Sequence, residues 1–391
     1  MLAAGIVASL LAGRLGLPAL ILFLGLGMVI GSDITGWVYF DDYELARTIG
    51  VIALALILFE GGLAAGFDEI RPVLRPAISL ALVGTVVTAV ISGLAAAWLF
   101  DFSTLEGLLL GSILAATDSA AIFALLRGSM LKRKIARTLE GESGLNDPVA
   151  VILVLGFIDW IQDPGYGLLD MIGFFAAELA IGAVVGVGVG RLSAQAFRRL
   201  RLPSEGLYPV ASLATAALAF GLADTLHGSG FLAVYLTGLT LGSHKVVPAL
   251  RTITSFHAGL AWIAQLAMFF TLGLLVFPSQ LSDIAVKGTT LAVVVVFLAR
   301  PLAAFVATAF QRFTAAERLA LGWAGLRGAV PMVLATFPVI ERTPHSVEFF
   351  NIVFFAVLLS TLLQGSTFEP LAGKLGLTTS EPALPPLVAT R

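Results

Sequence analysis

The stretch GESGLNDPVA, residues 141–150, interrupts a long apolar run with a group of polar side chains and a proline. Its polar residues are Glu142, Ser143, Asn146 and Asp147. At about 100° per residue they fall within an arc of about 140° on a helix and form one polar face. Pro148 cannot donate a helical hydrogen bond and clashes with the carbonyl four residues earlier, which frees backbone oxygen beside the carboxylates. Carboxylate, hydroxyl, amide and carbonyl oxygens are ligands for hard cations. The alternative is a polar seam that only joins helices.

The surrounding chain has the composition of a membrane protein. Of its 391 residues, 58% are hydrophobic and 12% are charged, and the mean hydropathy is +0.98. A soluble domain carries about 25% charged residues. Apolar stretches of about 20 residues recur, and each can cross a hydrocarbon core of about 30 Å. We therefore expect an all-α polytopic membrane protein in a lipid bilayer, with no enzymatic activity, no cofactor and no nucleic-acid partner. The absence of cysteine excludes disulfides and thiolate metal sites.

Charged and Gly/Pro-rich breaks divide the chain into about thirteen predicted transmembrane segments. They are residues 1–13, 17–32, 47–66, 74–99, 105–126, 138–160, 167–190, 207–223, 229–242, 255–277, 284–310, 319–339 and 347–370. The first is too short to span a bilayer. We expect a first repeat over about 1–160, a linker helix over 167–190, a second repeat over 207–372 and a short cytoplasmic tail over 373–391.

Basic residues are concentrated in alternate connections, which predicts the topology. Eighteen of the 23 lie in one set: Arg14, Arg71, Arg75, Arg127, Lys132, Arg133, Lys134, Arg137, Arg191, Arg198, Arg199, Arg201, Lys245, Arg251, Arg312, Arg318, Lys374 and Arg391. The opposite set holds only Arg47, Lys287 and Arg342. The positive-inside rule makes the first set cytoplasmic. The amino terminus is then outside and the carboxy terminus inside, which we expect in a bacterial inner membrane.

Three short similarities indicate an internal repeat. FLGLGMVIGS (23–32) resembles YLTGLTLGS (235–243), and LFEGGL (58–63) resembles FFTLGLL (269–275) at an offset of 211. AATDSA (115–120) corresponds to AGLRGA (324–329) at an offset of 209. The offset moves a segment by seven crossings, an odd number, so the halves are predicted to be inverted. Inverted repeats with interrupted helices are typical of secondary transporters. Chance resemblance among Gly- and Leu-rich helices is the alternative.

Charged residues inside the membrane are functional candidates, since each costs at least about 2.5–3.5 kcal/mol on insertion scales. The acids are Glu60, Asp118, Glu142, Asp147 and Glu178. A rise of 1.5 Å per residue places Asp118, Asp147 and Arg327 at similar depths, about 12–13 Å from the cytoplasmic ends of their segments. We therefore predict one site, with interrupted helices in LAATDSAAIF (114–123) and WAGLRGAVP (323–331).

The remaining charged groups leave several pairings open. A buried arginine needs a carboxylate, and we favour Glu142 as the partner of Arg327, with Asp118 or Asp147 as alternatives. Arg300 either satisfies carbonyls freed by Pro301 or pairs with an acid. Glu60 has a structural or a transport role, and Glu178 a packing role. The histidines, which are His227, His244, His257 and His345, are expected to be ordinary solvated residues in or near connections.

Four motifs in order resemble one family. ATDSAAIFALL, EGESGLNDPVAVIL, GLAWIAQLAMFFTLGLLV and GLRGAVPMVLA are similar to the NhaP-type branch of the monovalent cation/proton antiporters, most of all to bacterial CvrA-type potassium/proton antiporters. The resemblance implies an NhaA-like fold of thirteen helices, with a dimerisation domain and a six-helix core that moves as an elevator. CvrA-type relatives continue into a cytoplasmic regulatory region, whereas this chain stops after TTSEPALPPLVATR.

The resemblance also implies roles for individual residues. Asp147 would bind the cation and the proton in alternation, with Asp118, Thr117 and Ser143 in the same site. Supporting residues would be Asn146, Glu142 and Arg327. Glu142 would pair with Arg327, and Asn146 would bond to the unwound chain near Thr117.

The expected function is exchange of a monovalent cation for a proton, with potassium favoured and sodium possible. Asn146 cannot ionise and Glu142 is expected to be held by an arginine, so only Asp147 can cycle a proton and the exchange is predicted to be one-for-one. A cation channel and an inverted-repeat transporter for organic anions are the alternatives. GESG also fits the signature of rhomboid-type intramembrane serine proteases, but no histidine is expected at the depth of Ser143 to activate it.

Overall fold

The computed structural model describes residues 5, 19–126, 129–199, 202–243, 247 and 249–379. Within these ranges the regular secondary structure is helical, apart from one isolated bridge between Leu131 and Thr378. The helices are α1 (Ala19–Ile30), α2 (Tyr43–Ala65), α3 (Phe67–Phe100), α4a (Thr104–Ala115), α4b (Ser119–Leu126), α5 (Arg133–Gln162), α6 (Leu168–Arg199), α7 (Leu207–Thr225), α8 (Gly230–Gly242), α9 (Leu250–Leu274), α10 (Ala285–Ala307), α11a (Ala315–Trp323), α11b (Ala329–Ile340) and α12 (Ser346–Lys374).

Each predicted segment from 17–32 onward coincides with one of these helices. Eight of the helices in the described ranges are long and apolar enough to cross a membrane. The segment predicted over 1–13 lies outside the described residues, so the total of about thirteen stays a prediction. The main differences are at the ends: α5 begins at Arg133 rather than 138, α6 continues to Arg199, and α9 begins at Leu250. Charged side chains at a membrane surface are compatible with helix, so an apolar pattern alone underestimates helix length.

Two helices are interrupted, as predicted. Helix α4 has no helical structure between Ala115 and Ser119, and α11 has none between Trp323 and Ala329. Both first halves start with a capping box at an offset of 211, Ser103 with Glu106 in α4a and Thr314 with Glu317 in α11a. In this arrangement the cap hydroxyl and the glutamate satisfy free amide groups of the first turn. The same start signal and the same kind of break therefore occur in both halves.

Close helix contacts follow the same internal relation. A Cβ on Gly62 of α2 would overlap the carbonyl oxygen of Tyr235 in α8, and a Cβ on Gly273 of α9 would overlap that of Leu24 in α1. Both members of the second contact differ from those of the first by 211 residues. Only glycine lets two helix backbones approach so closely. The contact between α2 and α8 thus recurs between α9 and α1. In the first contact the glycine belongs to the first half of the chain, and in the second it belongs to the second half, which supports the predicted repeat.

A π-helical turn occurs in both α3 and α10. The turns cover Leu80–Gly84 and Val295–Ala299, at an offset of 215. A π turn inserts one extra residue into an α-helix and changes the direction in which the following side chains point. The residues that directly follow the two turns are Thr85 and Arg300. The sequence pattern did not reveal these turns.

The helices pack as two groups. Helix α8 packs against α2, α6 and α7, and α9 packs against α1 and α2. In the other group α3 packs against α4a, α5 lies against α3 and α4a, and α12 packs against α10 and α11b. Helices α2, α6 and α8 also contact α5, and α2 and α9 contact α11b, so the groups meet along α5, which carries the polar face, and along α11b. Helix α5 runs without interruption through Pro148.

Candidate cation-binding site

The two interrupted segments contact each other directly. The amide of Asp118 donates a hydrogen bond to the carbonyl of Leu326 at 2.8 Å, and Arg327 Nε donates to the carbonyl of Leu114 at 2.8 Å. Asp118 and Arg327 are 0% and 1% exposed. The two residues correspond at the offset of 209 read from the sequence. The breaks therefore form one crossing in the protein interior, as the sequence predicted.

Asp118 joins the starts of two half-helices. Its Oδ1 accepts from the amide of Ala121 at 3.1 Å, in the first turn of α4b. Its Oδ2 accepts from the amide of Ala329 at 3.1 Å, the first residue of α11b. A helix start carries partial positive charge and free amide groups, so a carboxylate there is stabilising. A Cβ at Gly328 would overlap Oδ2 of Asp118, which explains the glycine at this position.

Arg327 binds backbone carbonyl groups at the C-terminal ends of the first half-helices, α4a and α11a. Besides Leu114, near the end of α4a, it donates from Nη1 to the carbonyl of Gly325 at 3.0 Å, just after α11a. Its own amide donates to Ser360 Oγ at 2.9 Å. A cation beside free carbonyls complements the negative end of the helix dipole. Asp118 and Arg327 thus carry opposite charges and serve opposite helix ends.

The predicted pairing of Glu142 with Arg327 is wrong. Glu142 forms its ion pair with Arg300 Nη2 and not with Arg327, and both side chains of the pair are 2% exposed. The alternative that Arg300 pairs with an acid is confirmed. A Cβ at Gly325 would overlap Arg300 Nε, so this glycine gives the guanidinium its place. Depth along a helix favoured Arg327 but does not give the direction of a side chain around the axis, and Arg300 directly follows a π turn.

Asn146 links the polar face of α5 to the first break. Its Oδ1 accepts from the amide of Thr117 at 3.2 Å, which confirms the expected bond to the unwound chain. Its Nδ2 donates to Thr85 Oγ1 at 2.8 Å. Sequence reasoning missed Thr85, since a single threonine in an apolar helix carries no signal without the π turn. Thr85 and Arg300, which follow the two π turns, therefore both contact the polar face of α5.

Asp147 follows Asn146 on α5, and its carboxylate is buried without hydrogen bonds from the described residues. It is 0% exposed, and neither Oδ1 nor Oδ2 has a hydrogen-bond partner in the described part of the chain. Ser143 Oγ, one turn earlier on the same face, also has no hydrogen-bond partner among the described residues. Ser119 lies near the carboxylate, but its Oγ makes no hydrogen bond of normal geometry. Ser119 is a further residue that sequence reasoning missed.

Two further acids have different surroundings. Glu60 is buried in α2, 3% exposed, and has an interaction partner. Glu178 of α6 lines a separate cavity of about 410 Å³ together with Arg47, Asp224 and His227. This cavity lies between α2, α5, α6 and the start of α8 and does not include Asp147.

One histidine differs from the expectation. His257 is 1% exposed and its Nε2 lies 2.7 Å from Ser212 Oγ, so it is a buried structural residue rather than a solvated one. The reason is that α9 begins at Leu250, two turns before it. His227 and His345 lie at helix ends in left-handed conformations, and His244 lies outside the described residues. The serine that His257 contacts is therefore not Ser143 of the GESG motif.

Comparison with known proteins places the chain in a family. The family described as sodium/hydrogen exchanger, transmembrane, matches residues 1–374. The chain belongs to the sodium/hydrogen exchanger family. It is 41% identical over 376 residues to the K(+)/H(+) antiporter NhaP of Alkalimonas amylolytica and 39% identical over 377 residues to the K(+)/H(+) antiporter NhaP2 of Shewanella sp. (strain MR-4). Each alignment covers 95% of this chain and 65% of the relative, so the chain spans just under two thirds of their length.

More distant relatives agree on the fold. This exchanger-family chain is 27% identical to the Na(+)/H(+) antiporter NhaH of Halobacillus dabanensis, over 84% of the chain and 83% of the relative. The structure of the sodium proton antiporter MjNhaP1 from Methanocaldococcus jannaschii at pH 8 superposes with a TM-score of 0.82 at 26% identity, covering 95% and 97% of the two chains. The resemblance to NhaP-type proteins is confirmed.

Proposed function

We propose that the chain exchanges a monovalent cation for a proton, with Asp147 as the group that carries both. The observation that supports this most is the Asp147 carboxylate, which is fully buried and whose two oxygens accept no hydrogen bond from the residues that the structure describes. A bare carboxylate in a low-dielectric interior is strongly unfavourable, so it takes up a counter-ion or a proton. Its neighbours Ser143 and Ser119 supply hydroxyl oxygen, a ligand that suits hard cations and not soft ones.

Competition for one carboxylate couples the two ions. When Asp147 holds a cation the proton is excluded, and when it is protonated the cation leaves. Either state neutralises the charge, which lowers the cost of moving the site through the membrane. We place Ser143 and Thr117 as further cation ligands, and Asp118, Asn146, Glu142, Arg300 and Arg327 as the framework that holds the breaks in position. Glu60 stays a secondary candidate.

Potassium is our preferred substrate and sodium the alternative. The relatives with the highest identity above are named K(+)/H(+) antiporters, whereas NhaH and MjNhaP1 are named sodium antiporters. The ligand types do not distinguish the two ions, because both bind oxygen. We further propose a homodimer in a bacterial plasma membrane, with the amino terminus outside. Alternating access would occur by movement of the α3–α5 and α10–α12 group as an elevator.

The test is cation-driven proton movement in sealed vesicles. Adding potassium, sodium or lithium chloride to vesicles that contain the wild-type chain should change internal pH, with potassium most effective. Asp147→Asn preserves size but removes the exchangeable proton, so it should insert normally and show no cation-dependent change. Asp283→Asn, at an exposed acid in the connection before α10, is the matched control and should retain full exchange. Exchange above a tenth of wild type in Asp147→Asn would reject the assignment.

We also propose that the exchange is one-for-one and moves no net charge. Asn146 cannot ionise, and Glu142 is paired with Arg300, so Asp147 is the group free to cycle. Only displaced charge experiences the membrane potential, at about 2.3 kcal/mol per elementary charge per 100 mV. Exchange in proteoliposomes should therefore have the same rate with and without a diffusion potential set by an ion that is not transported. A clear dependence on voltage would show that a second group also carries charge, with Asp118 examined first.

A further inference from the structure

A basic cavity lies away from the proposed cation site, at the helix ends predicted to be cytoplasmic. Its volume is about 930 Å³, and it is formed by the start of α3, the start of α5 and the connection between α10 and α11a. The basic residues that line it are Arg71, Arg75, Arg133, Lys134, Arg137 and Arg312. The acidic ones are Asp68 and Glu69. We call this the basic cavity.

Three of the four acids near the basic cavity, Glu69, Glu140 and Glu317, are already engaged in ion pairs. Glu69 pairs with both Arg133 and Arg137, and Arg137 also donates to Glu140 at 2.6 Å. Lys134 pairs with Glu317 at 3.2 Å. Counting Asp68, Glu69, Glu140 and Glu317 against the six basic residues leaves an excess of two positive charges. The lining is therefore cationic even after its internal ion pairs are counted.

Three arginines in the basic cavity have no such compensation. The side chains of Arg71, Arg75 and Arg312 form no ion pair or hydrogen bond with any residue that the structure describes, and all three are exposed. They come from two separate elements and converge on one cavity. An arginine guanidinium offers a planar fork of donors that matches the oxygens of a phosphate. Converging forks are the arrangement that binds a phosphate group from several sides.

A buried donor in the same lining points to a ligand independently. Arg137 is 6% exposed, yet its Nε has no acceptor among the described residues. Buried polar groups are normally hydrogen-bonded, so an unpaired donor in the wall of a cavity calls for an acceptor from elsewhere. An anion in the basic cavity would supply that acceptor.

Part of the lining of the basic cavity is apolar. Pro72, Pro76 and Phe313 line it, and Phe310 lies beside them with its side chain fully exposed. A ligand with a phosphate at one end and an apolar part at the other suits this combination. Basic pockets between transmembrane helices on the cytoplasmic side are suited to anionic lipid headgroups. We propose that the basic cavity binds the phosphate of an anionic phospholipid headgroup.

Such a ligand would connect the helices that carry the cation site. Arg133 and Arg137 belong to the first turns of α5, which also carries Asp147, and Arg71 belongs to α3. Arg312 precedes α11a, the first half of the second interrupted helix. The proposal concerns binding only, and it stands or falls independently of the proposed exchange activity.

The test is a lipid titration of the purified chain in neutral detergent, followed by melting temperature. Dioleoyl-phosphatidylglycerol should raise the melting temperature in a saturable way, and dioleoyl-phosphatidylcholine should not. The variant Arg71→Gln/Arg75→Gln/Arg312→Gln should need at least about tenfold more phosphatidylglycerol for half of the effect, since each basic side chain near an anionic surface contributes about a fivefold factor in affinity. Because these side chains are exposed, the variant should fold, and single Arg312→Gln provides a milder second test.

The matched control removes the same charge elsewhere on the same predicted side. Arg191→Gln/Arg199→Gln/Arg251→Gln changes three exposed arginines outside the basic cavity and should titrate like wild type. Equal weakening in the two triple variants would reduce the effect to general surface charge and overturn the proposal, as would equal responses to the two lipids. Inorganic phosphate is tested separately at matched ionic strength. A shift with phosphate and none with phosphatidylglycerol would overturn the lipid assignment.

Discussion

The ion pair between Glu142 and Arg300 allows a quantitative test of the site framework. Both side chains are 2% exposed, and Arg300 Nε and Nη1 as well as Glu142 Oε2 have no other partner within the described ranges. Glu142→Gln or Arg300→Met therefore strands a charge in the protein interior. The double variant strands none. The perturbation is a double-mutant cycle on these two positions, read as melting temperature in detergent.

The expected size follows from the burial. Removing one partner of a buried ion pair typically costs about 3–5 kcal/mol. With an unfolding entropy of about 2.1 cal/mol/K per residue and a chain of 391 residues, this corresponds to a loss of about 4–6 °C for either single variant. Independent residues would lose about twice as much together. We expect the double variant to lose no more than one single variant does.

A second cycle separates the two buried arginines. Arg327 contacts the carbonyls of Leu114 and Gly325 and is not paired with Glu142. Arg327→Met combined with Glu142→Gln should therefore show a much smaller interaction energy than Arg300→Met combined with Glu142→Gln. Stronger coupling of Glu142 to Arg327 than to Arg300 would refute the arrangement described above.

Three further variants test the site. Asp118→Asn weakens two helix caps worth about 1 kcal/mol each. It should therefore lower thermal stability, and in vesicle assays it should lower the apparent cation affinity but leave measurable turnover. A complete loss of exchange at normal stability would instead show a direct role of Asp118 in transport. Thr85→Val removes the hydroxyl to which Asn146 donates, and a lost hydrogen bond of about 1 kcal/mol should raise KM about fivefold with kcat little changed. Thr85→Ser keeps the hydroxyl and should have the wild-type KM and kcat. An unchanged KM in the valine variant would exclude this positioning role of Thr85. Gly328→Ala places a methyl group on Oδ2 of Asp118 and should abolish exchange, whereas Gly373→Ala, which meets nothing within 4 Å, should not; an active Gly328→Ala protein would contradict the close contact.

Much of the fold could be predicted because its signals are local. Hydrophobic runs of membrane-spanning length mark helices wherever they occur, and glycine with polar residues marks the two breaks around Asp118 and Arg327. The polar face of α5 follows from helical periodicity alone, since residues four apart share a side. The repeat was visible because related positions, such as Gly62 and Gly273, keep glycine for the same close helix contact.

The tertiary structure decided which of the buried groups meet. The rise along a helix gives depth but not the direction of a side chain around the axis. The sequence therefore favoured Arg327 for Glu142 and left the partner of Arg300 open, whereas the structure pairs Glu142 with Arg300, which directly follows the π turn of α10. Thr85 likewise directly follows the π turn of α3, and its contact with Asn146 was not predicted from the sequence. The two contacts join residues 158 and 61 positions apart in the chain, and a pattern read along one helix does not contain that information.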